Sequence, residues 1–284
     1  MINLTKMNLN RMFYNKLFYI LMIINFGICI LIASLEAEPV NQELDQQIMV
    51  EQGIDSREDD AGFGMTVGGN ITEETPLEDI YAEMVCCGLI LTLVGVFASV
   101  YSDEERKSGF LKNLTVGKNG KKYVFASKAS VLFIFCFLQM ITGFVATQIG
   151  SNLTGHYGIV NLGNLVFYIL VETLLHTAFG LFIMAFYEIF RNVVFNILVA
   201  VFASLNLFGF IFSLLETKLG VMRMIAEAFG GRFEIMQYML VTRIRNLQVN
   251  ESVFPFVPSI VVALVGLTLY LVLGMVIHSK RDTI

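Results

Sequence analysis

Six apolar runs, each close to or above the roughly 18 residues needed to cross a bilayer, constrain this chain more than any other feature. They cover about Leu17–Leu35, Met84–Tyr101, Phe125–Gln148, Leu165–Phe190, Val193–Leu215 and Val257–Ile277. A soluble core helix rarely stays apolar on all faces for that long, because one face must meet water. Of the 284 residues, 56% are hydrophobic and 15% are charged, a balance that excludes soluble domains of this length. The expected fold is all-α: one polytopic membrane domain over residues 1–284 with six transmembrane helices. Lys6, Arg11 and Lys16 precede the first run, and Ala33 and Ala37 follow, as in a signal peptide. The apolar stretch is about 19 residues, beyond the 7–15 of a cleaved signal, so it reads as a retained first span.

The loops orient those spans. The net charge of −5 is not spread evenly, since Glu36 to Glu83 holds fourteen acidic residues and one base, Arg57. The remainder is net basic, with its cations near alternate ends of the runs. By the bias of Lys and Arg toward the cytoplasm, the N-terminus, Ser102–Lys122, the Glu188–Arg191 turn and the Lys280-Arg281 tail lie inside. The 36–83 and 216–256 segments and Ser151–Gly163 then lie outside, with both termini cytoplasmic. Segment 216–256 has five bases against four acids and does not bear on orientation. The protein is expected in the cell membrane, as a multi-pass protein. The 36–83 segment has few large apolar side chains and reads as an outer loop packed on helix ends, its charge serving solubility and topology or else attracting a cationic ligand. In segment 216–256, Phe233, Met236, Leu240, Ile244 and Leu247 recur at spacings of three and four. Val221–Phe229 precedes them, separated by Gly230-Gly231, which predicts two short helices capping the membrane surface.

The segment from Ser102 to Lys128 stands apart as a basic stretch between two long apolar runs. Six bases against three acids precede Tyr123. Ser102-x-x-Glu105 is a capping box and predicts that a short helix starts there. A helix held at the inner face with spans on both sides is suited to taking force from a soluble partner. The string Glu105-x-x-x-Gly109-Phe110-Leu111-Lys112-Asn113-Leu114, followed by Lys121 and Lys128, together with the six-span layout, resembles the membrane subunits of type-2 ATP-binding-cassette transporters. It is most similar to permeases for lantibiotic- and bacitracin-type peptides. Where that family often has Pro-x-Ser-Arg, this chain reads Gly117-Lys118-Asn119-Gly120-Lys121.

The resemblance implies a coupling helix at about Ser102–Leu114, with Ser102, Glu104, Glu105, Arg106, Gly109, Phe110 and Lys112 meeting an ATPase subunit. It also implies an extracellular gate built from the short helices, with Phe233, Met236 and Leu240 on its apolar face. The implied assembly is two ATPase subunits with this permease and either a second copy or a sister permease, among membrane lipids and without nucleic acid. A Walker A loop needs Gly-x-x-x-x-Gly-Lys and then Ser or Thr. The closest string has Thr115 at the first Gly position and Lys122 at the last. The chain is therefore expected to be no enzyme and to hold no cofactor, with ATP and magnesium on the partner.

Among polar residues at membrane depth, Glu172 and His176 are four apart and share one helix face, beside Thr173 and Thr177. That face could line a transport path or subunit interface, or simply tie helices together. Asn25, Gln139 and Asn206 read as contacts between helices. Cys29, Cys86, Cys87 and Cys136 all fall inside apolar runs, at no disulfide or metal spacing, and read as small apolar residues. Two other function classes stay open. An ion-coupled secondary transporter would want charges in several spans and internal repeats. A non-transporting receptor or scaffold would need no ATPase.

Overall fold

The computed structural model describes residues 2–35, 76–107, 120–154, 158–159, 161–211, 239–249 and 256–280. These residues form helices and connections, with no strand among them. In chain order the helices are α1 (Ile2–Tyr14), α2 (Lys16–Leu35), α3 (Leu77–Cys86), α4 (Leu89–Lys107) and α5 (Gly120–Thr154). They continue as α6 (Leu162–Phe190), α7 (Val193–Ser204), α8 (Leu240–Arg245) and α9 (Phe256–Lys280). Four of them, α2, α5, α6 and α9, are long and apolar enough to cross a membrane, and α3 with α4 makes a fifth span if the bent pair is taken as one.

Helix α6 is the centre of the bundle, its apolar stretch 72% buried, whereas that of α9 is 11% buried and faces outward. The two long helices α5 and α6 pack through Leu132, Phe135 and Phe179, and α9 lies against both. Gly274 on α9 brings the helices close, since a Cβ there would lie 2.0 Å from the Phe125 ring. Cations gather at one end of the bundle, where Arg106, Lys107, Lys128, Arg191, His278 and α1 lie. We call this the basic end. Helix α1 folds back there after a turn at Asn15, whose side-chain oxygen accepts from the Leu17 amide at 2.9 Å. Asn8 donates to Ser127 Oγ at 2.7 Å, and the Tyr101 hydroxyl donates to the Asn8 carbonyl at 3.3 Å. At the far end Glu78 Oε1 accepts from the Asn161 amide at 3.0 Å, tying the start of α3 to the start of α6.

Several boundaries differ from the sequence reading. The second span starts earlier: Leu77–Glu83, taken with the acidic outer loop, is helical and packs inward, with the Tyr81 hydroxyl donating to the Met140 carbonyl at 2.9 Å. Residues 36–75 of that loop lie outside the described residues. The span is bent by 46° at Cys87-Gly88. Gly88 has φ +86°, and a Cβ on it would lie 2.7 Å from the Ser204 carbonyl oxygen, so only glycine allows both the turn and the approach. The fifth run is also not one continuous helix. Helix α7 stops at Ser204 after 12 residues, Asn206 takes φ 60°, and helix resumes over 207–211. Asparagine tolerates that left-handed conformation better than most residues, and hydropathy alone carries no sign of it. The two breaks meet, with Thr92 Oγ1 and Ser204 Oγ 2.6 Å apart. Of the expected outer helices, Val221–Phe229 and the part of the second before Met239 lie outside the described residues, and the described part of the second includes α8.

Candidate functional site

The segment singled out by sequence folds differently at its start. Helix α4 runs unbroken through Ser102 to Lys107. Ser102 therefore sits inside a helix, with its hydroxyl donating to the Ala98 carbonyl at 2.8 Å. A capping box acts only where backbone amides are left over at a helix start, and here the incoming turn already uses them. The expected short helix beginning at Ser102 is thus corrected to the last turn of a long one. Gly109, Phe110 and Lys112 lie outside the described residues.

Glu105, freed from capping, points into the bundle. Its carboxylate pairs with the ammonium of Lys128 on α5, and both side chains are fully buried. Lys128 Nζ also lies 3.3 Å from Glu188 Oε1 at the end of α6, and His278 Nδ1 on α9 lies 3.1 Å from the same oxygen. One cluster thus joins the basic ends of α4, α5, α6 and α9. Two carboxylates face one ammonium, with the imidazole as a further donor to Glu188. Burying such charges is unfavourable unless each is paired, so the four groups depend on one another.

Around this core, neighbouring residues of the same turn tie down the rest. Asp103 accepts from the Tyr187 hydroxyl at 2.8 Å and pairs with Lys107 at 2.6 Å. Glu104 accepts from the Asn15 amide group at 2.5 Å, linking the turn to α1. Arg106 donates to the Arg191 carbonyl at 3.3 Å, just where α6 ends in a left-handed cap. Arg106 and Lys107 are exposed, whereas Ser102 and Glu105 are buried. The side chains named as partner-facing therefore divide. Glu105 and Ser102 hold the helix end in place, and Arg106 remains on the surface.

Sequence reasoning placed Lys128 only as a basic residue at the start of the third span, and missed Glu188 and His278 as its neighbours. The signal was present: Glu105, Lys128, Glu188 and His278 each fall within a few residues of the same end of an apolar run.

The Glu172–His176 pair forms as the spacing suggested, with His176 Nδ1 3.2 Å from Glu172 Oε2 and 2.9 Å from the Glu172 carbonyl oxygen, and both side chains fully buried. Thr173 and Thr177 do not join it; they donate to the Ile169 and Thr173 carbonyls of their own helix at 2.7 and 2.6 Å. Asn25 links helices as expected, donating to the Gln139 carbonyl at 2.9 Å. Of the three residues assigned to a gate, Phe233 and Met236 lie outside the described residues. Leu240 begins α8 and borders a cavity of about 570 Å³ between α6, α9 and residues 203–209. No cluster of three metal-ligating side chains occurs among the described residues.

A comparison with individual curated proteins gave no match. The model of the family described as ABC-2 family transporter protein matches residues 63–206, just over half of the chain, including α3 to α7 and the stitched end of α4. The chain is an integral membrane protein that belongs to the ABC-2 transporter family, as a permease component rather than a catalytic subunit.

Proposed function

We propose that this protein is the force-receiving permease of an ATP-driven exporter, with ATP hydrolysed in a separate subunit that docks on residues 102–114. Permeases of the family typically work with an ATPase partner. The observation that carries the reading is the buried Glu105–Lys128–Glu188–His278 cluster at the base of that segment. Because the cluster bridges four helices, displacement of the segment is passed to α4, α5, α6 and α9 together instead of being lost in one helix end. Arg106, Gly109, Phe110 and Lys112 would meet the ATPase, and Glu105 would anchor the turn that carries them.

In this reading the basic end faces the cytoplasm, as the Lys and Arg bias requires, and the membrane is the plasma membrane. The fifth of the six spans is α7 together with the helical turn at 207–211. Two permeases, identical or sister chains, serve two ATPase subunits, because one chain offers one such segment. The cargo is an amphipathic compound of the kind that includes membrane-active peptides, consistent with the resemblance to lantibiotic- and bacitracin-type permeases. Co-purification from the native host in mild detergent tests the assignment. An ATP-hydrolysing subunit should elute with the wild-type chain and be lost when Arg106, Phe110 and Lys112 are replaced by Ala. Recovery of no ATPase with the wild type would favour a receptor or scaffold.

A further inference from the structure

If the spans cross a bilayer, the cavity beside Leu240 runs from its middle toward the end away from the basic cluster. Counting 1.5 Å per residue along α7 and α9, Tyr270 sits about 15 Å, Asn206 about 20 Å and Val261 about 28 Å from the basic end, within a hydrocarbon core about 30 Å thick. The cavity is about 570 Å³, the size of a small-molecule site. None of its described lining residues is charged. Phe182, Leu240 and Val265 represent its apolar walls, and Asn206 and Tyr270 are the polar side chains among its described lining residues.

Asn206 is 5% exposed, yet its side chain has no hydrogen-bond partner among the described residues. Gly209, three residues on in the helical turn that follows, leaves space for that amide, since a Cβ there would lie 2.4 Å from Asn206 Oδ1. In a hydrocarbon setting an unsatisfied amide is costly, so the group is set for a partner that the described residues do not supply. The Tyr270 hydroxyl likewise has none among the described residues. The cavity's mouth faces sideways. Val261, Val265 and Leu269 line it and are also 53%, 58% and 51% exposed on the outer face of α9. Where that face of α9 meets lipid, the mouth would admit a molecule from the acyl chains without crossing water.

We propose that this cavity binds a neutral lipid, one apolar chain filling the walls and an uncharged ester, amide or hydroxyl group meeting Asn206 and Tyr270. A charged head is disfavoured, since it would cost several kcal/mol at this depth with no counter-charge among the described lining residues. Bound lipid would lie between α6, the break after α7 and the start of α8, where it supports the broken helix. This site is independent of whether the chain moves cargo or recruits an ATPase.

The test uses the full-length protein in nanodiscs with a photoactivatable diacylglycerol analogue, its reactive group in mid-chain. A quaternary alkylammonium of equal chain length carries the same group as a comparison. Adducts are mapped by mass spectrometry. The neutral probe should label peptides carrying Asn206, Phe208 and Leu240 well above Leu273 and Val276 on the lipid-facing side of α9. Val265→Trp and Leu269→Trp fill the mouth from exposed positions and should each remove that excess. Asn206→Gly keeps the left-handed backbone and deletes the amide, and should weaken neutral-probe competition about two- to tenfold, the range for one hydrogen bond. Equal labelling inside and outside the cavity, labelling unchanged in both Trp variants, or equal labelling by the cationic probe would each overturn the proposal. Competition by a lipophilic peptide but not by neutral lipid would assign the cavity to cargo and overturn it too.

Discussion

Replacing Lys128 by Met should destabilise this protein more than any single change at an exposed charge. The side chain keeps its volume and loses the ammonium that the two buried carboxylates, Glu105 and Glu188, share. Removing one member of a buried ion pair costs about 3–5 kcal/mol, because the desolvated partner stays behind. Lys107, whose side chain is 72% exposed and pairs with Asp103 at 2.6 Å, provides the comparison. Its replacement by Met should cost about 0–1 kcal/mol. Adding Glu105→Gln to Lys128→Met should recover much of the loss, since one of the two buried charges that faced the ammonium is then gone and the two positions couple. The chain has no tryptophan, but Cys29, Cys87 and Cys136 are buried. Their reaction with a thiol-specific fluorogenic dye on heating reports unfolding in detergent. Equal midpoints for Lys128→Met and Lys107→Met, or no recovery in the double variant, would refute a buried, interdependent cluster.

Other expectations follow from particular positions. Gly88→Ala should destabilise by about 1–3 kcal/mol in the same dye assay, through the positive φ and the approach of the Ser204 carbonyl; a neutral effect would mean that the bend is not fixed by this contact. His176→Leu should be more harmful than the double change with Glu172→Leu, because the single variant leaves a buried carboxylate unpaired. If the double variant melts as low as the single, the pair is not what holds that face together. Single cysteines at Lys118 and Asp59 should differ in labelling by an impermeant reagent applied to intact cells, with Asp59→Cys reactive and Lys118→Cys protected. Neutralising Asp55, Glu58, Asp59 and Asp60 together should lower apparent affinity for a cationic cargo most clearly at low salt, where the Debye length exceeds its physiological value of about 8 Å. An unchanged salt dependence would leave the acidic segment as a solvated loop.

The membrane class and most helix positions were legible in the sequence because hydrocarbon imposes one requirement, apolar side chains over about 18 residues, and the chain meets it repeatedly. The i,i+4 spacing of Glu172 and His176 gave their pairing directly, since a helix places them on one face. The breaks were not legible. Gly88 and Asn206 lie inside runs that hydropathy reads as continuous, and their left-handed backbone depends on which helix end packs against them. The capping box misled for a related reason. Ser102 and Glu105 have the correct spacing, but whether they start a helix depends on the preceding turn, which here is already helical. Glu105 finds Lys128 only after two spans have packed, so its partner was beyond local pattern. What could be read was the clustering of ionisable residues at one end of several apolar runs.

The central claim is that residues 102–114 hand force from a separate ATPase to the helices joined by Glu105 and Lys128. Site-specific photocrosslinking from within that segment tests it most directly, with the reactive side chain placed at Arg106 or Phe110 and a control at Leu153 on the far end of α5. The account predicts a crosslink from Arg106 and Phe110 to a protein carrying a Walker A sequence, strengthened or weakened by ATP, and none from Leu153. Crosslinks from Arg106 and Phe110 only to lipid, or equal capture of the ATPase from Leu153, would contradict it.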